Sequence, residues 1–222
     1  MAGNLWWLIH KDLVSEWRAR RAWPAMLVLG AVVAVLVSLQ LEWLPHQKPR
    51  VAGGLLWLAI FFAGMIAVDR SFAAEREEGC WEGLTMYPLS PTAVYLAKLC
   101  VNMMALATVQ AVLIPLFGIL CDVPLLASPA ALLLVAALGN IGIAAVGTLP
   151  SAVAARIARE NLLVILVLPL IIPVLIAAAE ASQLLTAGDL GATWWQWVQL
   201  LAAFGVIYVT AGIVLFEFVM EE

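Results

Sequence analysis

Charge is what this sequence has least of. Only 12% of its 222 residues are Asp, Glu, Lys or Arg, against about a quarter in an average soluble domain. So little charge cannot coat a water-exposed surface, which excludes a soluble globular enzyme and a disordered chain. The net charge of −4 leaves no basic face for nucleic acid. Lysine is rarer still: Lys11, Lys48 and Lys98 are the whole set, and none follows Gly or precedes Ser or Thr. The G-x-x-x-x-G-K-[ST] phosphate cradle therefore cannot be assembled, and the chain cannot hydrolyse ATP by that route. Neither an H-E-x-x-H metal pair nor a Ser/His/Asp set is present, so a non-catalytic chain is expected.

Cysteine and histidine are equally sparse. Cys80, Cys100 and Cys121 form no C-x-x-C or other metal-ligand spacing and read as small buried hydrophobes. His10 and His46 are the two histidines. His46, in the loop Glu42–Arg50, has no second histidine beside it to complete a haem ligand pair and reads as solvated.

Hydrophobic residues make up 65% of the chain, and the mean hydropathy is +1.04. Six stretches carry no charged residue: Trp23–Leu41, Val51–Val68, Leu99–Leu120, Leu125–Val146, Leu162–Ala179 and Trp194–Phe216. Each matches the ~20 residues that cross ~30 Å of hydrocarbon as a helix. Strands of a membrane barrel would instead alternate polar and apolar positions. An all-α integral membrane protein of six transmembrane helices is expected, because a helix satisfies its own backbone in lipid.

Sidedness follows from the cations. Lys11, Arg18, Arg20, Arg21, Arg70, Arg76, Lys98, Arg156 and Arg159 fall on one side of the six spans, and only Lys48 and Arg50 on the other. The positive-inside rule then puts both termini in the cytoplasm. Ahead of the first span, Leu5, Trp6, Ile9, Leu13 and Trp17 recur at helical spacing within Leu5–Arg21. That pattern predicts an amphipathic helix lying on the inner leaflet. The first span is expected to stay as an anchor, since Leu41-Glu42-Trp43-Leu44-Pro45 offers no small-residue cleavage site.

Within the spans, Asn102, Gln110 and Asn140 are expected to bridge helices. Ionisable groups near mid-bilayer are missing, which argues against a proton- or ion-coupled transporter. Gly139, Gly142 and Gly147, with Ala144 and Ala145, should let span four pack closely on a neighbour. Pro169 and Pro173 should kink span five. The cluster Trp194-Trp195-Gln196-Trp197 reads as an interfacial aromatic belt at the start of span six.

The strongest signal is the cytoplasmic segment 69–98. Asp69, Glu75, Glu77, Glu78 and Glu82 stand there with Arg70, Arg76 and Lys98, among Phe72, Trp81, Leu84, Met86 and Tyr87. This mixture of charge and apolar anchors suits a protein-docking surface. Ser90-Pro91 restarts a helix, and a short helix across the cytoplasmic mouth is expected.

The pattern carried by Asp69, Arg70, Phe72, Gly79, Glu82, Leu84, Pro88 and Ala97-Lys98 resembles the CcmB family, the permease subunits of cytochrome c maturation long called haem exporters. The double-proline stretch Leu166–Leu175 resembles it too. Asp69 stands where Glu is usual, and Cys80-Trp81 is an unusual filler. The resemblance covers essentially the whole chain and implies one ABC-2-like permease domain over 1–222. It implies a coupling helix between spans two and three, seated in a separate CcmA-like ATPase that binds ATP and Mg. Asp69, Arg70, Phe72, Glu75, Glu78, Gly79, Glu82, Leu84, Pro88 and Lys98 would form that contact, and Pro169 and Pro173 would let span five bend. The implied partners are a haem-handling CcmC-like protein, a small CcmD-like subunit and a periplasmic CcmE-like haem chaperone. The chain itself would hold no cofactor, haem being handled by the complex in a bacterial inner membrane. The alternative is an ABC-2 exporter permease for a lipid or other hydrophobic solute.

Overall fold

A computed structural model describes residues 10, 22–41, 48–77, 90–157 and 161–221. They form α1 (Ala22–Leu41), α2 (Lys48–Glu77), α3 (Pro91–Cys121), a 3₁₀ turn (Leu125–Ala127), α4 (Pro129–Ile157), α5 (Asn161–Thr186) and α6 (Ala192–Glu221). All six helices are long and apolar enough to cross a membrane. The segment Leu5–Arg21 lies outside the described residues except for His10, which is helical and exposed.

The helix ends follow from local chemistry. Ser90 caps α3, its side chain accepting from the Ala93 amide at 3.4 Å, with Pro91 in the first turn where a missing N–H costs nothing. The other end of α3 closes on Asp122, in the left-handed region at φ 53°, a conformation that short polar side chains tolerate. α5 is closed just past its end by Gly188 (φ 74°), with Asp189 N–H bonding to Leu184 C=O at 2.9 Å and Gly188 N–H to Leu185 C=O at 3.1 Å. This is a Schellman closure. The Asp189 carboxylate then accepts from Gly191 N–H at 3.2 Å and turns the chain into α6.

Three helix boundaries differ from the charge-free runs. α3 begins at Pro91, so the helix restarted by Ser90-Pro91 is span three itself, continuous through Lys98, and not a separate short helix. α4 begins at Pro129, because Pro124 and the Ser128-Pro129 step interrupt the apolar run with a 3₁₀ turn. α5 continues to Thr186 and so takes up Glu180, half-buried near its end. Absence of charge marks where lipid begins, whereas hydrogen bonding decides where a helix ends.

Contacts along the spans set an up-and-down order. Gln110 meets Asn140 and Asn102 meets Thr148, which makes α3 and α4 antiparallel. Residues near Ala22, Glu77, Pro91, Ile157 and Asn161 then share one end of the bundle, the basal end, and Leu41, Cys121, Pro129 and Ala192 share the apical end. α2 and α4 are the most enclosed helices, while α1 and α6 lie at the rim. Outward faces carry apolar side chains such as Val28, Val32, Ile119, Leu133 and Val206, as lipid contact requires.

Span four packs as its small residues predict. A β-carbon on Gly139 would meet the Trp57 ring, one on Gly142 would lie 2.7 Å from a Val174 methyl, and one on Gly147 2.8 Å from a Val68 methyl. Ala144 and Ala145 are buried. Glycine therefore brings α4 against α2 and α5 at distances no larger side chain permits.

Candidate functional site

The segment expected to dock, 69–98, begins as an extension of span two. α2 runs on through residues 69–77 to Glu77, so Asp69, Arg70, Phe72 and Glu75 are helical positions at its basal end; their side chains lie outside the described residues. Glu78, Gly79, Glu82, Leu84 and Pro88 lie outside the described residues altogether, as does His46. Lys98 is different. It stands two turns into α3 and is 5% exposed, enclosed in the bundle instead of ending a loop. Its burial follows from α3 starting at Pro91: the intervening turns carry it past the protein surface.

Next to Lys98, α3 and α4 share a short polar seam. Asn102 donates its amide hydrogen to the Thr148 hydroxyl at 3.0 Å, and Thr148 donates to Ala144 C=O at 2.6 Å. Ser151, one turn on, donates to Thr148 C=O at 2.8 Å. All are buried. Tyr95, fully buried, packs against Phe216 with ring centroids 5.6 Å apart, and its hydroxyl has no hydrogen-bond partner among the described residues. Asn102 with Thr148, and Tyr95 with Phe216, thus tie the basal parts of α3, α4 and α6 together.

Two further polar contacts hold the middle of the bundle. Asn140 donates to the Gln110 carbonyl oxygen at 3.0 Å. This pair and the Asn102 bond realise the helix-bridging role expected of the three amides. On the other side of α4, the Trp57 indole N–H donates to the Ser182 hydroxyl at 2.9 Å, joining α2 to α5. Ser182 in turn donates to Ala178 C=O at 2.7 Å.

Pro169 and Pro173 both lie inside α5. Each removes an intrahelical hydrogen bond, and neighbouring helices commonly compensate for that in membranes. Here the Tyr208 hydroxyl of α6 donates to Leu170 C=O at 2.7 Å, in the turn between the two prolines. At the apical end Trp194 is buried and packs edge-on against Trp195, ring centroids 5.0 Å apart. Trp195 is half exposed, the position an interfacial belt residue takes.

Among the described residues no group of three His, Cys, Asp or Glu could hold a metal ion. The arrangement can carry mechanical linkage between helices. Trp57, Ser182, Thr148, Ser151 and Tyr208 are the side chains that reading the sequence did not single out. Trp57 and Tyr208 lie inside charge-free runs, and Thr148, Ser151 and Ser182 just beyond the ends of two of them, where nothing in the run itself marks a partner.

The CcmB protein family model matches residues 3–220. The chain is 30% identical to "Heme exporter protein B" of Paracoccus denitrificans over 184 residues, 82% of this chain and 83% of that protein. It is 30% identical to the protein of the same name from Rhodobacter capsulatus over 176 residues, 78% of this chain and 79% of that one. The Escherichia coli K12 protein of that name aligns over 73 residues at 32% identity, 33% of each chain.

Proposed function

Because the chain belongs to the CcmB family, we propose that it is the haem-export membrane subunit of an ABC-type complex for c-type cytochrome biogenesis. The observation that carries this reading is the family match along nearly the whole chain, on a six-span bundle whose sequence cannot form an ATP cradle. Energy then enters through a partner ATPase of CcmA type, which binds ATP and Mg and docks on the segment between α2 and α3 in the cytoplasm. A CcmC-like haem protein, a CcmD-like small subunit and a CcmE-like chaperone complete the complex in the bacterial inner membrane.

The packing supplies a route for motion. α2 and α3 are the two helices joined by the docking segment, and each is fastened into the bundle near its basal end. Val68 lies under Gly147 of α4, and Asn102 is bonded to Thr148 of α4. A push on the segment therefore reaches α4 through both walls at once. Packed interfaces respond to such a push by switching between arrangements, not by bending smoothly. The proline-bearing α5, joined to α6 through Tyr208, is the element suited to change shape.

Of two ways to use that motion, remodelling of a haem-bearing assembly to release the loaded chaperone fits this chain better than passage of haem through it. The chain has two histidines, on opposite sides of the membrane in the predicted topology, and so no ligand pair. Stoichiometric haem binding by the purified chain through His46 would overturn this choice.

The coupling role is tested by Glu82→Lys. The variant should insert at wild-type level but lose the ATPase on co-purification and with it cytochrome c yield. Wild-type values for both would refute the docking assignment.

A further inference from the structure

The α3/α4 face carries a groove that the proposed coupling does not use. It has a volume of about 550 Å³ and runs between the two helices. Met104, Ala107, Ala111 and Ala137 are among its walls, and Gln110 and Asn140 line it as well. Both amides are 4% exposed. Their mutual bond uses the Asn140 N–H and the Gln110 oxygen. The Gln110 amide nitrogen and the Asn140 oxygen are left with no hydrogen-bond partner among the described residues. One donor and one acceptor are thus unused in the wall of an otherwise apolar groove.

Depth identifies what can satisfy them. Gln110 lies eleven residues before the end of α3, and Asn140 eleven after the start of α4. At ~1.5 Å per residue both sit about 16 Å below the apical helix ends, near the middle of a ~30 Å hydrocarbon layer. A phospholipid keeps its polar part at the interface and cannot reach them. Water is absent from that layer, and unsatisfied groups there are costly. A transmembrane helix is the structure that carries a hydroxyl or amide to mid-bilayer.

The walls fit a helix. Ala107 and Ala111 are four residues apart on α3, and both are exposed, as is Ala137 on α4; small residues at this spacing let a third helix approach closely. A second copy of this chain does not suit the groove. A two-fold contact through the same patch would set one concave surface against another, and insertion of a convex face would be a head-to-tail contact that gives a ring or an open array, not a closed pair.

The geometry points to a seat for one transmembrane helix of a different membrane subunit, bearing Ser, Thr, Asn or Gln at mid-span opposite Gln110 and Asn140. This rests on the reading of the chain as part of a multi-subunit complex, and the test separates the two. The full chain is co-expressed with the ATPase and the other membrane subunits, and each is quantified on co-purification. Ala111→Trp fills the groove from an exposed position. It should lower one membrane subunit at least tenfold and leave the ATPase at wild-type level. Gln110→Leu/Asn140→Leu removes the polar groups with little change in volume, and should lower the same subunit about three- to tenfold. A photo-crosslinker at Leu133, 69% exposed on the α4 side, should join that subunit through a peptide with a polar residue at mid-span.

Adducts between two copies of this chain, adducts with lipid or a porphyrin alone, or undiminished subunit recovery in Ala111→Trp would each overturn the proposal. Absence of the ATPase from the wild-type complex would instead refute the coupling role, whatever the groove holds.

Discussion

The Tyr208 hydroxyl and the Leu170 carbonyl oxygen lie 2.7 Å apart, joining α6 to the one turn of α5 that has a proline on each side. Pro173 has no N–H to offer Pro169 C=O and displaces it sterically, which loosens the carbonyls of this turn. A phenol from the next helix supplies a donor there. The span is thereby tied to a rim helix at the turn that its two prolines flank.

Tyr208→Phe should lower the stability of the detergent-purified chain by about 0.6 kcal/mol and at most ~1.7 kcal/mol, the range for interhelical hydrogen bonds in membranes. A denaturant titration in mixed micelles measures it. Pro173→Ala restores the N–H that bonds to the residue-169 carbonyl and should shrink the effect of removing the phenol. Equal effects in both backgrounds would show that the bond has nothing to do with the proline turn.

Gly139 and Gly54 should respond oppositely to alanine. A β-carbon at Gly139 meets the Trp57 ring, while at Gly54 it meets nothing within 4 Å. The ring cannot turn aside freely, because its N–H is bonded to Ser182. Gly139→Ala should therefore cost about 1–3 kcal/mol, the range for overpacking. Gly54→Ala should be neutral or stabilising by up to about 1 kcal/mol, through lower backbone entropy in the unfolded chain. Melting curves of the two variants side by side decide the point.

At the basal end, a β-carbon on Gly212 would run into the Tyr95 hydroxyl and ring. That hydroxyl is buried without a hydrogen-bond partner among the described residues, so removing it forfeits nothing. Tyr95→Phe should leave stability unchanged or raise it by up to about 1 kcal/mol. Gly212→Ala should be destabilising, and Tyr95→Phe should relieve it in part because the ring carbon remains close. Failure of the second substitution to improve the first would mean that the clash is absorbed elsewhere.

These relationships divide by whether one chain segment contains the information. Six spans were legible because charge exclusion is a property of each run alone. Asn102, Gln110 and Asn140 were legible as bridges because a polar group in hydrocarbon must find a partner, although the sequence could not say which. Gly139, Gly142 and Gly147 announced close packing, and only the fold names Trp57, Val174 and Val68 as what they admit. The burial of Lys98 was hidden because a charge was taken to end the span, when Ser90-Pro91 had started the helix two turns earlier. Tyr208 gave no hint either: its partner is a backbone carbonyl on another helix, and backbone has no sequence signature.

The Gln110–Asn140 pair gives the sharpest test of how polar groups act inside this bundle. Gln110→Leu removes the acceptor of the 3.0 Å bond and leaves the whole Asn140 amide unpaired in an apolar setting. Asn140→Leu does the reverse. Each single variant should cost more than the bond itself is worth, because a buried amide without a partner carries its full desolvation penalty. The double variant abolishes both amides and should be less destabilised than the sum of the singles, by about 2–3 kcal/mol in a double-mutant cycle. In the isolated chain it should come close to wild type, since the unused donor and acceptor vanish with it. Strict additivity would show that the two side chains act independently. A double variant as unstable alone as its worst single variant would mean that the amides serve this chain's own folding and not a neighbouring helix.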